Sequence, residues 1–144
     1  MSPDDQELLA AFEQGVIPLE RWDQRTHVSV AYLYLSAHEY GDALEKMRTG
    51  IQAFNARNQI PESPTSGYNE TTTVALFKLI DATMRAYGEV FPTSSADEFC
   101  ETHPQLMSKH ILRLFYSPQQ RMRPNAKSEF VEPDLAPLPT LDNE

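Results

Sequence analysis

Residues 66–80 read SGYNETTTVALFKLI, a polar opening that becomes an apolar run at the helical period. Thr73, Phe77, Ile80, Met84 and Tyr87 continue the repeat three or four residues apart, and Gly88 follows, which predicts an amphipathic helix. Asn69 belongs to the residue types that cap helices, and Glu70 gains from the positive end of the helix dipole. Yet Tyr68, Asn69, Glu70, Thr71, Thr72 and Thr73 put more hydrogen-bonding groups into one turn than a cap requires. They either cap the helix and no more, or form one wall of a polar pocket.

Outward from this stretch the helical period dominates, and no segment alternates convincingly over the length of a strand. A first helix is expected over 3–14, with Ser2 as N-cap, Pro3 at the first helical position and Gly15 at its end. A second is expected from about Asp23 to Ala37, with Val30, Ala31, Tyr34 and Leu35 on one face. A third follows from about Asp42 to Ala56, where Leu44, Met47, Ile51 and Phe54 recur at helical spacing despite Gly50. Ser95 and Glu98 have capping-box spacing and predict a short helix. His103-Pro104 predicts another, with Met107, Ile111 and Leu114 facing inward.

Beyond Tyr116 the pattern changes. Pro124, Pro133, Pro137 and Pro139 forbid a continuous helix, because proline lacks a donor and pushes the preceding residue out of the α region. This part reads as an extended strap with Phe130, Val131, Leu135 and Leu138 pressed inward, ending in a frayed tail at 141–144. The expectation is a single all-α domain over 1–140, a bundle of five to six helices with a Pro-rich C-terminal strap.

The 144 residues carry 12 Lys and Arg against 21 Asp and Glu, a net charge of −9. Nucleic acid is excluded as a partner, since binding phosphates needs a basic stripe, and only RMRPNAK (121–127) is locally basic. The single cysteine, Cys100, forms no internal disulfide and sits among acids that raise a thiol pKa. No stretch approaches the ~18 apolar residues of a membrane span. The start of the chain lacks the basic and long apolar regions of a signal peptide. A cytoplasmic location is expected, and a homodimer through an apolar patch on the third helix or the tail is compatible with the sequence.

Chemistry concentrates in two stretches. In RWDQRTH, Trp22 precedes the second helix, and Gln24 and His27 share a face three residues apart. If this turn meets the start of the helix that carries Thr73 to Tyr87, it encloses a pocket with Tyr68, Asn69, Glu70 and Thr73. A histidine facing a glutamate is a usable acid–base pair, because imidazole titrates near neutrality and a partly buried Glu can be raised toward it. Arg48 and Asn55 share a face of the third helix, so Arg48 could reach an anionic substrate group. The bland readings stand beside these: Trp22 as core anchor, His27 as a packed residue, Asn69 as cap, Arg48 in a surface ion pair. His103 and His110 are too sparse for a metal site. No P-loop, Rossmann, GxSxG or HExxH pattern occurs.

WDQRTHV (22–28), RTGIQAFN (48–55), GYNETTT (67–73) and YSPQQRMRPNAKSEFVEPDLAPLP (116–139) occur in the order of four motifs of a family of short, mostly bacterial helical proteins without an established activity. The chain resembles that family over about residues 10–140. Its motifs resemble W-T-H-x-x-H, R-x-x-I-x-x-(F/Y)-N, G-Y-H-E-T and F-V-x-P-D-L-x-P-L-P. Trp22, His27, Tyr68, Glu70, Thr71 and Thr73 fall on the pattern. The resemblance implies a divalent-metal site, with two histidines three apart and a His-Glu pair as ligands. Two of those histidines are Gln24 and Asn69 here, and carboxamides bind transition metals poorly.

The sequence therefore predicts a small enzyme acting by acid–base chemistry, as an isomerase, cyclase or lyase, on a small polar organic molecule. Glu70 and His27 are its expected catalytic pair. Trp22, Gln24, Tyr68, Asn69, Thr73 and Arg48 are expected to bind substrate. No cofactor is expected, beyond a weakly held divalent metal on His27 and Glu70. One alternative is a metal-dependent hydrolase or oxygenase, with Asp23 or His110 as a further ligand. The other is a non-catalytic ligand-binding or scaffold protein.

Overall fold

Ser2 Oγ accepts a hydrogen bond from the Asp5 amide at 3.1 Å and starts α1 (Pro3–Gln14). Gly15 ends the helix in the left-handed region at φ 69°, its amide donating back to the Ala11 and Phe12 carbonyls. The computed structural model describes residues 1–141. Asp23 caps α2 (Gln24–Ala37) by accepting the Thr26 amide at 2.9 Å. The seven consecutive residues Val28–Tyr34 of α2 are all buried, so this helix is covered on every side. It packs against α1, α3 (Tyr40–Arg57), α4 (Glu70–Tyr87) and α5 (Ala96–Thr102).

Glycine in the middle of α3 has a packing reason. The Phe12 ring lies directly over Gly50, and a Cβ at that position would overlap it. Phe12 also stacks on Trp22 with ring centroids 5.4 Å apart, and Trp22 reaches Phe54 of α3 at 5.2 Å. Aromatic contact of this kind adds about 0.5–1.5 kcal/mol beyond the area buried. At the other end of α1, the buried Asp5 accepts the Ala96 amide at 3.1 Å and ties the N-terminus to α5. Of the capping box predicted at Ser95 and Glu98, the forward half forms, with Ser95 Oγ accepting the Glu98 amide, while Glu98 Oε1 accepts the amide of Ser94, one residue before the N-cap.

After residue 103 the structure departs from the expected helix. Residues 104–107 and 111–114 form two separate 3₁₀ turns interrupted at Ser108 to His110. Three residues per turn change which side chains share a face. Leu106 and Leu112 are buried, whereas Leu114, expected inward, is 69% exposed. His103 is buried between Tyr87 and Phe99, and His110 is exposed, so they do not share a helical face. Chain 117–127 adds the short α6 (Pro118–Arg121) and a 3₁₀ turn at Pro124–Lys127.

The strap is held by named hydrogen bonds. Thr71 Oγ1 donates to the Glu129 carbonyl at 2.9 Å and accepts the Val131 amide at 3.1 Å. Tyr116 Oη donates to the Val131 carbonyl at 2.6 Å, and Asp134 accepts from both the amide and the hydroxyl of Ser117. Val131 is buried, and Phe130 and Leu138 pack partly buried against the core. Leu135, expected inward, is 57% exposed, and it is its backbone amide, donating to the Phe115 carbonyl at 2.9 Å, that ties this part of the strap to the bundle. Leu141 is exposed, and the rest of the expected frayed tail, 142–144, lies outside the described residues.

The molecule is a single-domain all-α bundle of six α-helices among the described residues, with the strap held at Thr71 at the start of α4 and residues 139–141 lying beside Lys78, Asp81 and Arg85 farther along it. None of these helices is long and apolar enough to cross a membrane. Replacing Thr71 with Val keeps the volume and removes both strap hydrogen bonds, leaving the Val131 amide without its acceptor. A loss of about 1–3 kcal/mol in urea-unfolding free energy is expected; a loss below about 0.5 kcal/mol would show that the strap does not hang on Thr71.

Candidate functional site

The first turn of α4 distributes its polar side chains among different neighbours. Asn69 Oδ1 accepts the Thr72 amide at 2.8 Å and is the helix N-cap. Glu70 turns toward α3, where Arg48 Nε donates to Oε1 at 2.9 Å and Nη2 donates to Oε2 at 2.5 Å. Tyr68 Oη donates to Glu70 Oε1, also at 2.5 Å. Thr71 holds the strap, Thr72 Oγ1 accepts from Arg121 at 3.2 Å, and Thr73 is buried. The threonine run thus serves three separate contacts.

The Arg48–Glu70 pair is not an ordinary surface ion pair, since the side chains are only 27% and 14% exposed and the guanidinium grips the carboxylate with both prongs. Burial alone would raise the Glu70 carboxyl. The hydrogen bonds from Arg48 and Tyr68, together with the Arg48 charge, outweigh it and hold the carboxyl below its usual range. Arg48 is correspondingly held protonated, chiefly by its hydrogen bond to Glu70. Burial and the donation to Glu70 push the Tyr68 phenol up to about 12. At neutral pH the trio is one carboxylate, one cation and one neutral phenol.

These three groups line a cleft of about 860 Å³. Its walls come from α3, from the loop at 60–68 and from the turn at 124–128. Gln52, Asn55, Glu62 and Lys127 add polar groups, and Lys127 pairs with Glu62 at 2.9 Å while donating to the Ser66 and Tyr68 carbonyls. A ligand entering here meets the remaining lone pairs of a fixed carboxylate, amide side chains and a lysine. That lining can orient a small polar molecule through both donors and acceptors.

Of the residues predicted from sequence, Arg48, Tyr68 and Glu70 come together in this cleft, and Trp22, Gln24, His27, Asn69 and Thr73 do not line it. Trp22 is occupied by its stacks on Phe12 and Phe54. Gln24 Nε2 reaches across to the Leu106 carbonyl at 2.9 Å. His27 packs beside the Trp22 ring at 5.5 Å, its Nε2 sealed from solvent without a hydrogen-bond partner. Glu70 is bonded to Arg48 and Tyr68, and no hydrogen bond joins it to His27. With no carboxylate beside it, burial pushes the His27 imidazole down to about 4.

Sequence reasoning noted Asn55 only as sharing a face with Arg48, and missed Gln52, Glu62 and Lys127. The helical spacing of Arg48, Gln52 and Asn55 is a signal that could have found Gln52. Lys127 had none, because its place depends on how the tail folds back.

The metal set implied by the family resemblance does not fit these residues. Among the described residues, no three His, Cys, Asp or Glu side chains gather in a group able to hold a metal ion. Gln24 and Asn69 are committed to backbone partners, and both Glu70 oxygens are engaged. The chain matches no protein-family model, no curated protein and no solved structure.

The environment of His27 makes a direct prediction. Its imidazole should titrate near 4 in the folded protein, followed by nitrogen-detected NMR, against its ordinary 6.5. The unfolded chain then takes up a proton that the folded one refuses, so stability falls as pH drops from about 6.5 toward 4. A folded-state value at or above 6.5 would contradict this geometry by requiring a nearby anion.

Proposed function

We propose that the protein binds a small polar organic molecule in the cleft beneath Arg48, Tyr68 and Glu70. The observation that carries this reading is the two-pronged clamp of Arg48 on Glu70, closed by Tyr68, facing open space rather than a packed interior. Such a clamp holds the carboxylate and the guanidinium in fixed positions before a ligand arrives, which limits the ordering cost of binding. A ligand with an amine or hydroxyl donor would address Glu70 and Asn55, and a ligand carboxylate would compete for Arg48 and Lys127.

Acid–base turnover of the isomerase, cyclase or lyase kind is the catalytic form of the same proposal. The short Tyr68–Glu70 hydrogen bond favours it, since it offers a path for a proton between ligand, phenol and carboxylate. In that form Glu70 is the base and Tyr68 the relay, and His27 takes a packing role. A carboxylate held below its ordinary range is a weak base, so the reading rests on binding.

Thermal-shift screening of small polar metabolites with the wild type, Arg48→Met and Asn55→Ala tests it. A ligand at a hundred times its dissociation constant adds about 2.7 kcal/mol to the wild type. The same ligand should bind Arg48→Met at least about tenfold more weakly, the loss of one charge-assisted contact. Ligands that bind both variants as tightly as the wild type would place the binding elsewhere and overturn the proposal.

A further inference from the structure

On the other side of the 64–69 loop lies a second cleft, of about 550 Å³. Arg113, Arg121 and Lys127 line it together with Thr72, Asn69 and Tyr116, and no lining residue is a carboxylate. In a chain with 21 acidic side chains against 12 basic ones, a concave surface lined by three cations and no anion is not what composition delivers.

The charges differ in how far they are compensated. Lys127 is paired with Glu62. Among the described residues neither Arg113 nor Arg121 has a carboxylate within ion-pair distance. Arg121 is half-buried, and its Nη2 donates to Thr72 Oγ1 at 3.2 Å, which fixes the guanidinium at the start of α4 and leaves its other N–H groups available. Burial first, and then repulsion from Arg113, lower the Arg121 pKa, with only the Tyr116 phenol acting against them and no carboxylate. The neighbouring His110 is depressed first by Arg113, then by burial and Lys109, with Arg121 adding the smallest part. Two guanidiniums facing one cavity repel each other, and an anion between them would turn that repulsion into attraction.

We propose that this cleft binds the phosphate group of a small phosphorylated molecule, with Arg121 and Arg113 donating to its oxygens and the Thr72 hydroxyl holding Arg121 in place. Two uncompensated positive charges match the dianion of a phosphomonoester better than a single carboxylate. The planar donor fork of arginine fits phosphate oxygens two at a time. The site is separate from the cleft under Glu70, and the two share only the Lys127 stem as a dividing wall.

Calorimetric titration of the full chain with inorganic phosphate, at ionic strength matched with sodium chloride, tests the assignment. Saturable binding of one phosphate per chain is expected. Arg121→Gln and Arg113→Gln should each weaken it at least about tenfold, as the loss of a charge-assisted contact requires, while Arg85→Gln, which removes a cation outside both clefts, leaves it unchanged. Arg113 is exposed, so its variant keeps the test decisive if Arg121→Gln does not fold. Absence of saturable binding at millimolar phosphate would overturn the proposal, as would phosphate affinity indifferent to both substitutions. Acetate binding as tightly as phosphate would overturn the phosphate assignment.

Discussion

Asn69, Glu70, Thr71, Thr72 and Thr73 are consecutive, and each is committed to a different part of the molecule. One caps its own helix, one clamps α3 through Arg48, one suspends the strap, one fixes Arg121, and one lies in the core. A helical turn points successive side chains about 100° apart, so five neighbours in sequence cover the full circumference of α4. The first turn is therefore a joint at which α3, the strap and the 113–122 segment are all positioned. Both clefts open beside this joint because the surrounding elements are held at its rim rather than packed over it.

Below the joint, ordinary burial holds the bundle together. The side chains of α2 from Val28 to Tyr34 are enclosed by four helices, and Phe12, Trp22 and Phe54 bridge α1 and α3. His27 packs against Trp22 of the aromatic cluster, and its buried Nε2 has no hydrogen-bond partner. An imidazole there stays neutral near pH 7, consistent with a packing position and unlike an acid–base group poised at neutrality.

The four long helices were legible from their periodicity, reinforced in three of them by the caps Ser2, Asp23 and Asn69, whereas α3 starts without a side-chain cap. Ser2, Asp23, Asn69 and Ser95 all act as side-chain caps. The segment after His103 was not legible, since apolar residues spaced three to four apart suit both an α-helix and successive 3₁₀ turns, and only packing separates the two. The candidate site was half legible. Tyr68 and Glu70 lie in the polar stretch 66–73, and Arg48 lies on the facing helix, but pairing Glu70 with His27 requires two polar helix starts to converge. Gln24 instead reaches the Leu106 carbonyl, and Glu70 points to α3. Lys127 and Arg121 belong to a tail whose return path no local pattern encodes.

The central claim is that Arg48 and Tyr68 hold Glu70 as a fixed, ionised acceptor at the floor of its cleft. Carbon-detected NMR titration of the Glu70 carboxyl, in the wild type and in Arg48→Met, measures this directly. The wild-type midpoint should lie below the ordinary glutamate value of 4.5, and removing Arg48 should raise it, because the opposing effect of burial is then left with less to offset it. A wild-type midpoint at or above the ordinary value, or one that does not move in Arg48→Met, would contradict the account.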